Sequence, residues 1–274
     1  LGAGNGEMMQ ILISTFSKFP QFKKSCKINI LEKSTFLKKI QKKNIKDKKI
    51  KWLNNLDELN NFPCIFIANE FFDALAIKQF IRKEKKWYER YVKFTDKKKL
   101  KYLDIPFNIK KFEKRIKFKI SYKQKFVEYS PLAVKYFKSI IKKIKLNNGG
   151  ILIIDYAYVE NEMRNTLQAV SKHKYCDVLK SFRESDITHN LNFYLINKII
   201  KKLGSYSLLH TTQRKFLMKL GILERAEIIS KNMSFSKKAD IYYRIKRLID
   251  EKYMGNLFKV MLITNNNNKF KLGF

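Results

Sequence analysis

The amino-acid sequence predicts an α/β domain in which buried strands alternate with amphipathic helices. A glycine-rich turn at residues 1–7 leads directly into an amphipathic stretch. Short apolar runs typical of buried strands recur along the chain, and an acid or an amide follows several of them. Such an order is typical of a doubly wound sheet, whose functional residues lie in the loops after the strands. We therefore expect a single domain over residues 1–274, with its chemistry at the carboxyl edge of the sheet.

The composition indicates a chain with a large core and a strongly basic surface. Its 274 residues are 45% hydrophobic and 14% aromatic, enough for one α/β domain with insertions. No apolar run approaches the roughly 18 residues of a membrane-spanning helix, so we expect no membrane span. The net charge of +35 comes from lysines scattered through every segment, alongside abundant Asn, Ile and Phe. Because this joint bias is typical of AT-rich coding sequence, we expect only non-specific, salt-sensitive binding of nucleic acid.

The cysteines predict neither a disulfide framework nor a metal centre. Cys26, Cys64 and Cys176 are far apart, odd in number and without nearby pairs of histidines. Disulfide-rich and zinc-binding chains carry closely and regularly spaced ligands instead. The sequence therefore indicates a reducing compartment and no bound metal.

The first part of the chain predicts a helix–strand–helix order. Near-helical spacing of apolar residues predicts a helix over 8–19, alternation predicts a strand over 26–31, and the segment 34–43 has the pattern of a second helix. Brief apolar runs at 50–53 and 64–68 are typical of buried strands.

The middle of the chain changes to an alternating, lysine-rich sequence. Residues 77–128 include the stretches IKQFIRKEKKWYERYVKF and RIKFKISYK, which predict antiparallel hairpins inserted into the main sheet. An amphipathic helix is predicted over 130–145, and Asn148 with two glycines ends it. The run at 151–154 predicts a strongly buried strand that Asp155 closes.

The last part predicts a polar loop followed by helices and a closing strand. Residues 161–192 are rich in hydrogen-bonding side chains and irregular, which indicates a long structured loop with one helix. Apolar periodicity predicts helices over 192–203, 213–229 and 240–250. A strand over 254–264 closes the chain.

Two features near the start of the chain predict a nucleoside cofactor. Gly2, Gly4 and Gly6 form G-x-G-x-G immediately before a helix, where backbone N–H groups and the helix N-terminus face a ligand. Glu32 ends the next strand, and a carboxylate at that place accepts both ribose hydroxyls of a nucleoside. Each feature alone also fits a tight turn or a surface carboxylate. Together they leave NAD and S-adenosylmethionine as alternatives.

The cluster Asn69-Glu70-Phe71-Phe72-Asp73 follows an apolar strand and predicts a site for a cationic substrate. A pair of carboxylates orients a guanidinium through parallel hydrogen bonds, and aromatic faces accommodate both its plane and the sulfonium of a methyl donor. Alternatively, the two phenylalanines belong to the core and the acids cap a helix. The first interpretation favours S-adenosylmethionine over NAD.

The ordered motifs of the chain resemble those of the MidA family of respiratory complex I assembly factors. The matching blocks are GAGNGEMM (2–9), ILEKSTFLKKIQ (30–41), ANEFFDAL (68–75), GGILIIDYAY (149–158), TLQAVSKHKYCDVL (166–179), ESDITHNLNF (184–193), TTQRKFLMKLGI (211–222) and MGNLFKVM (254–261). The resemblance covers essentially the whole chain. The blocks ANEFFDAL and TLQAVSKHKYCDVL are far more specific than the glycines.

The resemblance implies a class I methyltransferase with a Rossmann-like fold, a seven-stranded, mostly parallel sheet and helices on both faces. It implies S-adenosyl-L-methionine as the cofactor and an arginine of the large quinone-side subunit of complex I as the acceptor. Such a protein is expected in the cytoplasm if bacterial, or in the mitochondrial matrix if eukaryotic. A methyltransferase of RNA or of a small molecule, and a noncatalytic assembly factor that retains the fold, stay open as alternatives.

Carried onto this sequence, the resemblance implies a cofactor role for five residues. Gly2, Gly4 and Gly6 are expected to approach the methionine part of the donor. Glu32 is expected to bind the ribose, and Asn69 to lie near the sulfonium.

The resemblance also implies which residues bind the acceptor. Glu70 and Asp73 are expected to hold the guanidinium, and no metal is required. The loop and helices of about 160–250 are expected on the substrate side of the domain. Six further matching positions are expected to line the acceptor groove: Asp155, Gln168, His173, Asp177, Asp186 and Thr188.

The chain departs from the family pattern at several points. Ala76 stands where the family usually has Pro, Asn192 where it has Asp, and Arg214 where it has Gly, and we expect local adjustments there. Family members also carry a helical region and a central strand before the glycine turn, so we expect the natural N-terminus to be lacking. The strands beside that central strand would then have unpaired edges, which favours instability, aggregation and loss of activity.

Overall fold

The structure is a computed structural model that describes residues 1–47, 49–95, 99–172, 174–180, 184–204 and 206–274. Helices and strands alternate in parts of the chain, separated by runs of consecutive strands and one run of consecutive helices. Up to the middle they are α1 (Glu7–Phe16), α2 (Pro20–Ser25), β1 (Asn29–Leu31), α3 (Thr35–Asn44), β2 (Lys51–Leu53), β3 (Cys64–Asn69), β4 (Lys78–Lys83), β5 (Lys86–Phe94), β6 (Leu100–Pro106), α4 (Ile109–Ile116), β7 (Phe126–Tyr129) and α5 (Pro131–Asn147). The remainder are β8 (Gly149–Tyr158), β9 (Gln168–Ser171), β10 (Lys174–Cys176), β11 (Asp186–Thr188), β12 (Leu191–Asn192), α6 (Phe193–Leu203), β13 (Tyr206–Thr212), α7 (Gln213–Lys219), α8 (Ile222–Ser230), α9 (Phe235–Ile249), α10 (Met254–Leu257) and β14 (Phe258–Asn265).

Strand β8 is the centre of the main sheet. It pairs with β14 in antiparallel register along one edge, and β13 pairs with the far side of β14. Along its other edge it pairs in parallel first with β3 and then, at its last two residues, with β12. Because both edges of β8 are hydrogen-bonded and α5 packs against the sheet, Ile151 and Ile153 are completely buried. Phe137 and Ile140 of α5 belong to the same apolar core.

A second, two-stranded sheet lies at the amino-terminal end of the domain. Strands β1 and β2 pair in parallel, and within the described residues no ladder joins them to β3. The first two residues lie between the two sheets, since the nitrogen of Gly2 donates to the carbonyl of Leu31 at 3.0 Å and that of Leu1 to the carbonyl of Ile67 at 2.7 Å. Ile65 of β3 is 77% exposed.

The main sheet therefore differs from the single seven-stranded, mostly parallel sheet that the sequence predicts. Its pairs are two parallel and two antiparallel, and β1 and β2 stand apart from it. The physical reason is spacing, because a ladder forms only between backbones about 4.8 Å apart. Near their carboxyl ends, β1 and β3 each bond instead to the residues that lie between them.

The lysine-rich middle segment forms a four-stranded antiparallel sheet in the order β6-β5-β4-β7. Its inner face packs on α4, with Phe80, Phe112 and Val127 buried together. The stretch RIKFKISYK, predicted to be a strand, instead ends α4 and continues as a loop. The cause is Glu113, whose carboxylate accepts the backbone N–H groups of Ile120 and Ser121 at 2.7 and 2.8 Å and turns the chain back on itself.

The polar segment 161–192 also differs from the prediction, because its described residues contain no helix. They include the three-stranded antiparallel sheet β10-β9-β11. Buried side chains of the lysine-rich region hold the loop before that sheet. Gln124 accepts the N–H of Met163 at 2.8 Å, and Glu128 accepts the N–H of Thr166 at 3.0 Å.

Three predicted boundaries near the carboxyl end also shift. The helix predicted over 213–229 is interrupted at Gly221, whose φ of 74° is left-handed, and becomes α7 and α8. Helix α9 begins at Phe235 rather than at 240, and α10 precedes β14. None of the described helices is long and apolar enough to cross a membrane.

Gly149 offers a direct test of the junction between β3 and β8. Its φ is 110°, and a Cβ there would lie 2.0 Å from the carbonyl oxygen of Cys64. We expect Gly149→Ala to lower the free energy of unfolding in urea by about 3 kcal/mol, because both the dihedral angle and the close approach require glycine. Gly4→Ala is the control: its φ is 53° but a Cβ would meet nothing within 4 Å, so we expect about 1 kcal/mol. Equal losses in the two variants would contradict the packing argument.

Candidate cofactor and acceptor site

The glycine turn lies against the loop that follows β3. Gly2 and Gly4 have φ values of 58° and 53°, and Gly6 caps α1 with a φ of 90°. A Cβ on Gly2 would lie 2.7 Å from the ring of Phe71, so only glycine permits this approach. The turn predicted from the sequence is therefore beside the cluster predicted to bind the acceptor.

A buried glutamine joins the glycine turn to Glu32. The amide nitrogen of Gln41, on α3, donates to the carbonyl of Gly4 at 2.8 Å and to Glu32 Oε2 at 3.0 Å. Its amide oxygen accepts the indole N–H of Trp52 at 3.0 Å, and the side chain is fully buried. The sequence analysis missed Gln41, although a glutamine one helical turn after Leu37 is a polar residue on the apolar face of α3.

Glu32 is more constrained than the sequence suggests. Its Oε1 accepts the backbone N–H groups of Lys33 and Ser34 at 2.8 and 2.9 Å, so it also secures the start of α3. With the bond from Gln41, three donors use a carboxylate that has about four acceptor positions. The remaining capacity is enough for a further hydroxyl.

The loop after β3 places its two acids in contrasting environments. Glu70 is exposed, and its φ of 47° is left-handed, a strained conformation for glutamate. Its backbone N–H donates to the carbonyl of Ile154 at 3.0 Å, and Asn69 donates to its carboxylate at 3.3 Å. Strain of this kind at a strand end is typical of functional sites.

Asp73 is the unusual group of this loop. Its side chain is 3% exposed, and its Oδ1 has no hydrogen-bond partner among the described residues. Burial, with the charge of Glu70 adding to it, raises the pKa of Asp73 to about 6. A buried carboxylate oxygen without a partner is costly unless a cation or a donor reaches it.

Asp155 is a support of the site rather than part of an acceptor groove, which corrects the expectation from the sequence. Its carboxylate is fully buried, so a substrate cannot reach it. Oδ2 accepts the N–H of Phe72 at 3.1 Å, and Oδ1 accepts the N–H of Tyr156 at 2.9 Å. Burial, followed by the charge of Asp73, raises the pKa of Asp155 well above its usual value.

The two phenylalanines of the cluster have different roles. Phe72 is fully buried and stacks on Phe137 with ring centroids 4.7 Å apart, so it belongs to the core. Phe71 is only partly buried and packs edge-to-face on Tyr136 at 5.2 Å. Tyr156 completes the aromatic surroundings, and burial together with the nearby Glu70 and Asp73 raises its pKa to about 12.

The other residues predicted to line an acceptor groove lie on or beside the small sheet β10-β9-β11. Gln168 and Thr188 face each other across β9 and β11 and share a hydrogen bond of 3.2 Å. Asp177 caps a turn by accepting the N–H of Leu179 at 2.8 Å, and Asp186 is exposed. No described hydrogen bond or ion pair joins these four side chains to Glu70 or Asp73. His173 lies outside the described residues.

His189 is a second residue that the sequence analysis missed, although it directly follows the matching Thr188. Its backbone N–H donates to the carbonyl of Asp73 at 3.1 Å. The side chain is 5% exposed, burial lowers its pKa, and it lines a cavity of about 40 Å³ together with Glu128 and Asn190. His189 therefore connects the small sheet to the loop that carries the acids.

Comparison with known proteins decides the family. Residues 1–211 match the sequence model of a family described as S-adenosyl-L-methionine-dependent methyltransferases. The chain belongs to this methyltransferase family. The cofactor of the family is the one that the sequence resemblance implied, and the resemblance itself is confirmed.

Curated relatives carry a more specific name. The chain is 25% identical over 257 residues to the mitochondrial protein arginine methyltransferase NDUFAF7 homolog of Caenorhabditis elegans, covering 82% of this chain and 57% of that protein. It is 25% identical over 220 residues to the NDUFAF7 protein of Danio rerio, covering 79% and 51%, and 24% identical over 286 residues to that of Xenopus laevis, covering 94% and 64%. The chain thus spans about half to two thirds of the length of these relatives.

Solved structures support the fold. A first structure from Burkholderia thailandensis superposes with a TM-score of 0.79 at 23% identity and covers 99% of this chain and 74% of its own. A second structure from the same organism also has a TM-score of 0.79, at 22% identity, and covers 100% of this chain and 72% of its own. It was solved with S-adenosyl-homocysteine bound. At this level of identity the likeness establishes the α/β methyltransferase-like fold.

The residues at the glycine turn fit the family cofactor. Gly4 opens onto free space, since a Cβ there would meet nothing within 4 Å. Glu32 keeps acceptor capacity for a ribose hydroxyl, and Asn69 ends the strand beside the turn. The N–H groups of Gly2 and Gly6 are bonded within the chain, so the open side of the turn at Gly4, next to the carboxylate of Glu32, is the part that suits a nucleoside.

Gln41 gives the testable consequence of this geometry. We expect Gln41→Ala to weaken binding of S-adenosyl-L-methionine about tenfold, because the glycine turn and Glu32 both lose the donor that positions them. Isothermal titration calorimetry measures the dissociation constant. Lys39→Ala, at an exposed position of the same helix, is the matched control and should bind normally. An unchanged affinity in Gln41→Ala would show that the buried amide has no part in the site.

Proposed function

We propose that this chain transfers a methyl group from S-adenosyl-L-methionine to an arginine side chain of a protein. The observation that carries the proposal is the buried Oδ1 of Asp73, which has no hydrogen-bond partner among the described residues and lies in the loop that carries Glu70. Membership of the methyltransferase family supports the reaction, and the names of the curated relatives support arginine as the acceptor.

A guanidinium suits this site better than a neutral acceptor. It presents five N–H donors in a planar fork, enough for the exposed carboxylate of Glu70 and for that of Asp73, which a side-chain movement must first open to the substrate. Phe71 and Tyr156 are the aromatic residues near these acids, and the face of such a ring attracts a cation. Binding of the cation stabilises the charged form of Asp73 and removes the penalty of its burial.

The acids also account for the proton that the reaction releases. The bound donor supplies an electrophilic methyl carbon on a sulfonium. Glu70 and Asp73 hold the guanidinium so that its positive charge concentrates on the nitrogens they contact, which leaves the third nitrogen richer in electrons. When that nitrogen has gained the methyl group, the resulting dication loses one proton from a nitrogen that a carboxylate contacts, and Asp73 or Glu70 accepts this proton and passes it to solvent.

The finer identity of the acceptor follows from the family resemblance. We propose the large quinone-side subunit of respiratory complex I as the protein substrate. The names of the curated relatives support arginine methylation but name no acceptor, and these relatives are about one and a half to two times as long as their matched part. The compartment is then the mitochondrial matrix in a eukaryote, or the cytoplasm in a bacterium.

Asp73→Asn separates the functional role of Asp73 from a purely structural one. Since the pKa of Asp73 is raised in the folded chain, its ionised form destabilises the fold, and this penalty grows as pH rises from about 4 to about 6. We therefore expect Asp73→Asn to increase the free energy of unfolding at pH 7 by about 1–3 kcal/mol, with a smaller gain at pH 4, while methylation is lost. Urea titrations at both pH values and a labelling assay give the two readouts.

Asp155→Asn is the matched control for that variant. Like Asp73→Asn it removes a buried carboxylate, but it also places an amide N–H₂ against one of two bonded backbone N–H groups, and because this lost bond outweighs the gain we expect a net loss of about 1–2 kcal/mol. If Asp73→Asn also destabilised the chain, Asp73 would be a helix or loop cap, and the guanidinium site would be wrong.

The pH dependence of the reaction gives a further test. Because only ionised Asp73 pairs with a guanidinium, kcat/KM for an arginine peptide should fall about tenfold for each pH unit below about 6. Donor binding, measured alongside, should not follow this profile. A kcat/KM that stays flat between pH 5 and 7 would argue against Asp73 as the group that holds the cation.

The acceptor itself is tested with labelled S-adenosyl-L-methionine and the large quinone-side complex I subunit from the same source. We expect label on arginine that resists nuclease and is absent with Asp73→Asn. Label that nuclease removes would assign the chain to RNA methylation. Donor binding without any label on the subunit would favour the noncatalytic assembly role, and label on arginine of other proteins only would retain the reaction while rejecting this substrate.

A further inference from the structure

A cluster of exposed apolar side chains lies at the turn between α8 and α9, far along the chain from the site residues. We call Ile228, Ile229, Met233 and Phe235 the tip surface. They are 70%, 41%, 40% and 87% exposed, and they fall within eight consecutive residues. Single exposed apolar residues are ordinary on protein surfaces, but four in so short a segment are typical of an interaction site.

The tip surface is held in place by the opposite sides of the two helices. Ala226 and Ser230 of α8 are buried, 1% and 3% exposed. Ile241 and Ile245 of α9 are half-buried on the inner side of that helix, and the N–H of Met233 donates to the carbonyl of Ser230 at 2.9 Å across the turn. The apolar side chains therefore point outward because the inner faces of α8 and α9 are already occupied.

The charge around the tip surface specifies an anionic partner. Between residues 228 and 238 the chain carries Lys231, Lys237 and Lys238 and no acid. The flanking acids are Glu227, which is exposed on α8 directly before the tip surface, and Asp240 of α9, which is paired with Arg244 at 3.0 Å. Aliphatic side chains surrounded by lysines match the boundary between headgroups and acyl chains of an anionic bilayer.

We propose that the tip surface docks the chain on an anionic lipid membrane, with Ile228 and Phe235 entering the headgroup region and the lysines contacting lipid phosphates. Tyr242 is two turns after Phe235 on the same face of α9 and is 41% exposed, as expected of an aromatic residue at a membrane interface. A second copy of the chain fits less well, since a symmetric contact would bring lysines against lysines. RNA fits less well because three of the four tip residues, Ile228, Ile229 and Met233, are not aromatic, which leaves Phe235 as the one base-stacking ring of the tip surface.

The contact is peripheral, and it is independent of the proposed methyl transfer. It involves no residue of the glycine turn or of the loop after β3. Methylation of a peptide in solution should therefore be the same in the chain and in variants of the tip surface.

The test is co-sedimentation with phosphatidylcholine vesicles prepared with and without phosphatidylglycerol. We expect binding only to the anionic vesicles, and we expect Ile228→Ser/Phe235→Ser to weaken it about tenfold or more. The matched control is Tyr122→Ser/Leu146→Ser, which removes two side chains that are 70% and 64% exposed but lie apart from each other. It should bind as the unaltered chain does.

Charge reversal separates a defined surface from the general basicity of the chain. Lys231→Glu/Lys237→Glu should lower binding at least about tenfold, because each lysine at an anionic surface contributes roughly fivefold. Lys142→Glu/Lys145→Glu, with the same change in net charge at another exposed place, should lower it clearly less.

Three outcomes would overturn the proposal. Equal effects of the tip variants and their controls would mean that the net charge alone attracts the chain to vesicles. A dimer in light scattering that the tip variants dissolve, with vesicle binding unchanged, would assign the surface to a second copy. Loss of binding to an RNA oligonucleotide, again with vesicle binding unchanged, would assign it to RNA.

Discussion

The carboxylate of Asp155 determines the shape of the candidate site, although no substrate can touch it. It is fully buried within β8 and accepts the backbone N–H of Phe72, so it ties the central strand to the loop after β3. With that bond made, Phe72 enters the core and stacks on Phe137. In the same loop Glu70 has a left-handed backbone and is exposed, whereas Asp73 is buried. The bond from Phe72 to Asp155 thus fixes the segment that lies between two acids of contrasting exposure.

This arrangement stores an electrostatic cost that a cationic ligand relieves. Burial raises the pKa of both Asp73 and Asp155. The charge of Glu70 further raises the pKa of Asp73, and the charge of Asp73 further raises that of Asp155. In a site built only for stability, such a pair is replaced by neutral or apolar side chains. Its presence at the carboxyl edge of the sheet, beside a glycine turn, is typical of a functional site in which stability and activity oppose each other.

The charge of the whole chain and the charge of the site have opposite signs. A net charge of +35 repels a cationic peptide at long range, so the proposed recognition of an arginine requires short-range pairing with Glu70 and Asp73. At physiological salt the repulsion fades within about 8 Å, whereas a buried pair is screened much less. A basic surface of this kind favours anionic partners, and we propose the apolar tip between α8 and α9 as the place where one of them docks.

Local features were predictable, and long-range ones were not. The glycine turn, the strands β3 and β8, the helix α5 and the acid cluster follow from periodicity and composition within a few neighbouring residues. The bond from Phe72 to Asp155 joins residues 83 positions apart, and the bond from Gln41 to Gly4 joins residues 37 positions apart. No local sequence pattern predicts either bond. The helix expected in 161–192 failed for the same reason, since distant side chains satisfy the backbone of that loop. The sequence by itself determined which glycines and carboxylates are available for a site. Only the tertiary structure decided which carboxylate oxygens are already bonded and which are left for a ligand, because their hydrogen-bond partners are neighbours in space and not in sequence.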